Sequence, residues 1–187
     1  MSRMKRFSVL FFCLIYTSLV SQQNPFCSIH QAQSSYYSQF EFTQESQFDS
    51  LNGIHPSLNR HVDQFTRPDC IVFGYHPYWM GSTYLTYQWD LLSDLCYFSF
   101  EVDPYSGNPV TLHNWLTAPV IDTALSRGVN VHLCITLFQA HMALFSNLAS
   151  QQTLIDTAVS LVIARNASGV NLDIESVPSS LSNELNQ

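Results

Sequence analysis

Charge is scarce in this chain: Asp, Glu, Lys and Arg make up 11% of its 187 residues, whereas 46% are hydrophobic. That balance excludes a solvated, disordered polymer and indicates one that builds a core. Basic residues are scarcer still. Of the seven, Arg3, Lys5 and Arg6 stand at the very start, so the rest of the chain sets four Arg and no Lys against 14 acidic residues, a formal charge of 4 − 14 = −10. Such a surface repels phosphate backbones and anionic lipid, which excludes nucleic acid as a partner. No apolar run reaches the roughly 20 residues that a membrane-spanning helix requires. No two cysteines have C-x-x-C spacing, so no cysteine-held metal is indicated, and no cofactor is expected.

What is present begins with "MSRMKRFSVLFFCLIYTSLVSQQ", a basic start, an apolar run from Phe7 to Val20 and a polar flank. This is the pattern of a secretory signal peptide over residues 1–21. It predicts a secreted or cell-surface protein with no stable membrane insertion after the leader is cleaved. Cys13 lies in the leader, leaving Cys27, Cys70, Cys96 and Cys134, and an even count in an exported protein permits disulfides. A bridge from Cys27 to Cys70 is the candidate. Cys96 and Cys134 fall inside strand-like runs and read as small buried apolar side chains.

Residues 22–68 are rich in Gln, Ser, Asn and Phe with little periodicity, and read as a linker or extended arm in which "SIHQAQSSYYSQFEF" forms a short helix. From residue 69 the texture changes. "CIVFGYHPYW" and "LCYFSFEVD" are strand-like, the second closed by the turn "PYSGNP". "APVIDTALSRG" has a helical apolar stripe capped by Gly128, and "VNVHLCITLF" is a third strand. "SQQTLIDTAVSLVIARNAS" reads as a helix with Ser150 as N-cap and Leu154, Ile155, Ala158, Leu161 and Val162 as its apolar stripe. "GVNLDIE" is the fourth strand. Strand, strand, helix, strand, helix, strand implies parallel pairing through crossovers, an α/β architecture.

The fourth strand is the anomaly. A parallel strand covered by helices is apolar on both faces, yet this one alternates Val170, Leu172 and Ile174 with Asn171, Asp173 and Glu175. If the sheet curls into a barrel, the polar set points inward and Glu175 stands at the carboxyl end, where barrel active sites are built. Two adjacent buried carboxylates repel, and one then holds a proton that it can donate. The alternative is a solvated strand end or a helix cap; periodicity leaves both open. Tyr78 and Trp79, in the aromatic stretch after the first strand, are candidate sugar-stacking residues or ordinary core. His76 reads as a structural histidine, since no other ligand stands at metal spacing.

"SGVNLDIE" resembles the fourth-strand signature D-G-x-[DN]-x-D-x-E of family 18 glycoside hydrolases, the chitinase family, with Ser168 in place of the first Asp. "VFGYHPYW" and "CYFSFEV" are similar to that family's first and second strands, with Gly74 and Tyr75 in its G-Y positions. In the third strand "CITL", Cys134 to Leu137, replaces the chitinases' S-x-G-G, and "GVNLDIESVP" is closer to the branch containing spore-cortex peptidoglycan hydrolases. The resemblance implies a partial family 18-type catalytic barrel over residues 69–187, the amino-terminal half of a (β/α)8 TIM barrel truncated after the fourth strand. As such a fragment it is expected to be inactive alone. It further implies cleavage of a polysaccharide substrate containing β-1,4-linked N-acetylglucosamine, chitin or peptidoglycan, by substrate-assisted retaining catalysis. Glu175 would be the proton donor and Asp173 would orient the substrate's acetamido group, supported by Asn171 and Tyr75. The alternative is a non-catalytic chitin- or glycan-binding barrel; such relatives usually lose the acid, and Glu175 is present.

Overall fold

The runs "LCYFSFEV" and "VHLCITL" offer no polar face to water, and both become the central strands of one sheet. A computed structural model describes residues 27–56 and 69–181, so the expected leader, residues 1–21, lies outside the described residues. Two helices come first, α1 (Ile29–Tyr37) and α2 (Glu45–Asn52). The strands are β1 (Phe73–Pro77), β2 (Asp94–Val102), β3 (Pro109–Thr111), β4 (Asn130–Leu137) and β5 (Gly169–Ile174), with helices α3 (Pro119–Ser126), α4 (His141–Phe145) and α5 (Leu148–Ala164) between the later ones. The order β1-β2-β4-β5 is parallel throughout. β3 folds back antiparallel on β2 after the tight turn at "PYSGNP", where Gly107 takes φ +76°. That short strand is an addition to the four expected from the sequence.

Leu95, Val131 and Leu133 share one buried face of the sheet, and Val120, Ile121 and Ala124 of α3 are buried in the same core; Cys96 and Cys134 are buried on the opposite face, toward Asn171. α3 ends as its sequence predicts. Gly128, at φ +68°, turns its N–H to the Leu125 carbonyl at 3.0 Å, and the Val129 N–H reaches the Ala124 carbonyl at 3.0 Å. α5 starts earlier than expected: Asn147 is its N-cap, accepting from the N–H groups of Ala149 and Ser150. Ser150 instead sits inside the helix and donates to the Tyr105 carbonyl at 2.7 Å. Ala158 and Leu161 of the expected stripe are buried, whereas Ile155 is 55% exposed, on a face shared with the exposed Val159 and, from β5, Val170 and Leu172.

The segment expected as a linker or extended arm, residues 22–68, carries α1 and α2 in its described part: α1 reaches β2 and β5, and α2 packs on the 3₁₀ stretch Tyr78–Thr86 that follows β1. Phe48 of α2 is buried, and the Tyr37 ring of α1 stacks on Trp79 at 4.8 Å. Aromatic side chains scattered without a helical period still bury large areas when a neighbouring surface complements them. Asp49 of α2 accepts from the Ser82 N–H at 2.8 Å and the Ser82 hydroxyl at 2.6 Å, and Asn52 donates to the Trp79 carbonyl at 2.8 Å. Cys27 and Cys70 are exposed free thiols, so the expected bridge is not formed; Cys96 and Cys134 are buried as expected. Among the described residues no helix is long and apolar enough to cross a membrane.

Candidate active site

Pairing with β4 decides which way β5 presents its side chains. Asn171 lies opposite Cys134 and Asp173 opposite Thr136, while Val170, Leu172 and Ile174 take the other face. Ser168, in the position of the family's first Asp, opens the strand by donating its N–H to the Val131 carbonyl at 2.7 Å. Glu175 follows the last residue of β5 and is held by its backbone at both ends of the peptide unit. Its N–H donates to the Leu137 carbonyl at 3.1 Å, and its carbonyl lies 2.8 Å from the Nε2 of His141. The alternation read from sequence thus places Asp173 and Glu175 together at the carboxyl end of the sheet.

The third member of the cluster comes from outside the sheet. His30, in the first turn of α1, puts Nδ1 at 3.2 Å from Asp173 Oδ2 and at 3.2 Å from Glu175 Oε1. The Ser28 hydroxyl orients that turn as N-cap, accepting the Gln31 N–H at 3.0 Å. One turn on, Ser34 donates to Glu101 Oε1 at 3.1 Å, so α1 spans the rim from β5 to β2. Burial, reinforced by the charge of Glu175, raises the Asp173 carboxyl above its ordinary pKa, and His30 opposes the rise. Glu175 Oε2 is buried and has no hydrogen-bond partner among the described residues. The imidazole and the two carboxylates each offer one ligand atom, all within 4.8 Å of one another. Sequence reasoning missed His30, because no local pattern ties a histidine to carboxylates 143 residues away.

Tyr75 and Asn171 contact each other: the Asn171 amide donates to the Tyr75 hydroxyl at 3.1 Å, below the carboxylates. Tyr78 and Trp79 do not serve as expected. They are 7% and 3% exposed, Tyr78 stacked on His113 and Trp79 on Tyr37 of α1, so neither is open to a sugar. His76 is the structural histidine its surroundings suggest, with Nδ1 3.0 Å from the Tyr87 hydroxyl. A cavity of about 630 Å³ opens instead between α1 and the carboxyl ends of β2 and β4, lined by Gln31, Ser34, Glu101, Tyr105 and Gln139 among others.

No family model and no curated protein matches this chain. Solved structures do. A chitinase from Bacteroides thetaiotaomicron superposes with TM-score 0.50 at 17% identity, over 58% of this chain and 37% of its own. The Bacillus cereus spore cortex-lytic enzyme SleL superposes with TM-score 0.51 at 15% identity, over 76% of this chain and 37% of its own. The fold is that of part of a chitinase-like TIM barrel. At such identities the likeness concerns the fold, and the chain spans a little over a third of the length of either neighbour. On that fold, β1, β2, β4 and β5 are successive barrel strands, and the His30, Asp173 and Glu175 cluster lies at the carboxyl end where barrel enzymes keep their chemistry.

Proposed function

We propose that this chain belongs to a secreted family 18-type glycoside hydrolase acting on β-linked N-acetylglucosamine polymers, with residues 69–187 as barrel and residues 1–21 as export signal. The observation that carries the reading is the convergence of Asp173 and Glu175 at the carboxyl end of a barrel strand, in a fold similar to a chitinase and a cortex-lytic enzyme. Glu175 in its acid form gives its proton to the glycosidic oxygen as the bond to the anomeric carbon breaks. The substrate's own acetamido oxygen attacks that carbon, so no enzyme nucleophile is consumed. Asp173 holds the acetamido N–H and faces the positive oxazolinium ring that forms. Water then opens the ring, and Glu175, now a carboxylate, takes the proton back. The Asn171 to Tyr75 hydrogen bond supports this pair from below.

His30 occupies the hydrogen-bonding positions that the acetamido group and glycosidic oxygen would take, so binding a sugar displaces its imidazole. The cavity beside α1 supplies room for the adjoining saccharide. Hydrolysis of a soluble N-acetylglucosamine oligomer by the full-length protein tests the reading. Glu175→Gln keeps shape and hydrogen bonding but carries no transferable proton, so turnover falls by about 10²- to 10⁴-fold while binding persists. Unchanged turnover in that variant refutes the assignment, and a wild type that binds the oligomer without cleaving it supports the glycan-binding alternative.

A further inference from the structure

We propose that His30, Asp173 and Glu175 form a binding site for a zinc-class divalent cation, which clips α1 onto β5 across the carboxylate pair. Zinc lies about 2.0 to 2.2 Å from imidazole nitrogen and carboxylate oxygen. Two such bonds meeting at about 100° separate their ligand atoms by about 3.2 Å. Both edges from His30 Nδ1, to Asp173 Oδ2 and to Glu175 Oε1, measure 3.2 Å. The imidazole nitrogen is therefore already spaced from each carboxylate as a fellow ligand of one ion, and one ligand atom from each of the three residues lies within 4.8 Å of the others.

Hydrogen bonding alone serves this arrangement poorly. A neutral imidazole Nδ1 carries at most one hydrogen, yet it faces two carboxylate oxygens at equal distance. Glu175 Oε2 adds a buried acceptor with no partner among the described residues, available as a second oxygen to the same ion. Two carboxylates cancel a double positive charge, and an imidazole ligand favours zinc, copper or nickel over calcium or magnesium. The His30 side chain is 40% exposed, which leaves an approach from solvent. Three protein ligands leave a fourth position for water.

Bound there, the ion occupies the lone pair through which Glu175 would carry its proton, so it inhibits turnover until chelated. That inhibitory consequence rests on the hydrolase reading above; the binding does not. The experiment is calorimetric titration of zinc chloride into chelator-treated protein without substrate, with thermal unfolding measured alongside. One zinc per chain at micromolar concentration is expected, with a rise in melting temperature, and cobalt in its place gives the visible bands of a low-symmetry site. His30→Ala and, separately, Asp173→Asn weaken binding at least about tenfold and abolish the melting shift. Since metal-free melting reports whether each variant folds, a lost site is told apart from a lost fold. Wild type that binds no zinc at about 1 mM, or His30→Ala that binds as tightly, overturns the proposal. Hydrolysis assayed in chelator stands or falls independently.

Discussion

His76 makes the folded state of this protein sensitive to mild acid. The ring is 1% exposed at the end of β1, packed among Tyr84, Tyr87 and Tyr97, and burial lowers its pKa from 6.5 to about 4. Unfolding returns it to 6.5, so between those values the unfolded chain binds a proton that the folded chain refuses. Stability is then fully present above 6.5 and is lost as pH falls toward 4. The whole interval is worth about 3.4 kcal/mol, at about 1.36 kcal/mol per pH unit. Integration gives a loss of about 1.4 kcal/mol at pH 5.5 and about 2.6 kcal/mol at pH 4.5. Replacing His76 by Asn retains an acceptor near Nδ1 for the Tyr87 hydroxyl, which lies 3.0 Å away, and removes the titration. Denaturant unfolding of both proteins from pH 7.5 to 4.5 yields the difference in stability, from which groups common to both cancel. The variant starts less stable at neutral pH because of its smaller side chain, and the gap to wild type closes as the pH drops. A gap that stays constant over this range refutes the buried neutral imidazole.

Glu45 acts in the opposite sense: burial, and then the charge of Asp49 one turn on, raise its pKa from 4.5 to about 7, so it costs stability as pH rises through 7. Glu45→Gln removes that cost, and its unfolding midpoint at pH 8 exceeds that of wild type while the two converge as pH falls below 4.5; a variant equally or less stable at pH 8 contradicts this. Gly81, at φ +49°, has no room for a methyl group, since a Cβ would stand 2.1 Å from Asp49 Oδ1 and 3.0 Å from the Glu45 carbonyl. Gly81→Ala therefore combines backbone strain of about 1–2 kcal/mol with loss of the charged bonds from Ser82 to Asp49, about 1.5–3 kcal/mol, for a total of about 2.5–5 kcal/mol. Amide exchange that accelerates across 27–56 more than in β2 and β4 is the expected signature, and unchanged protection there counts against it.

The central strands and α3 were legible because their signals are local. β2 and β4 are apolar on both faces, and α3 carries its stripe and its glycine stop within ten residues. β5 was legible for the opposite reason: its alternation of period two survives wherever the strand is placed, so Asp173 and Glu175 had to share a face. Asn147 displaced Ser150 as the cap of α5 because both are competent caps three residues apart, and only tertiary contact, the bond from Ser150 to the Tyr105 carbonyl, separates them.

α1 falls within the short helix read from "SIHQAQSSYYSQFEF", but α2 and the packing of both helices were not legible, and the consequence reaches the site itself. Their aromatics find partners 42 and 30 residues away, Tyr37 on Trp79 and Phe48 on Tyr78, and no spacing rule weighs a contact whose other half lies in a different element. The same burial explains why Tyr78 and Trp79 looked like sugar platforms: an aromatic loop at a barrel mouth is exposed unless something covers it. Here α1 and α2 cover it, and they bring His30 to the acids and Ser34 to Glu101. The contacts that hold them run through side chains, the Tyr37 stack, the Asp49 and Asn52 hydrogen bonds and the imidazole contacts, whereas β1, β2, β4 and β5 are joined by continuous backbone ladders. Elements held this way open at lower free energy than the sheet beneath them. Displacing His30 from Asp173 and Glu175 therefore requires no strand to move, so the carboxylate pair can be covered or freed while its own geometry is kept.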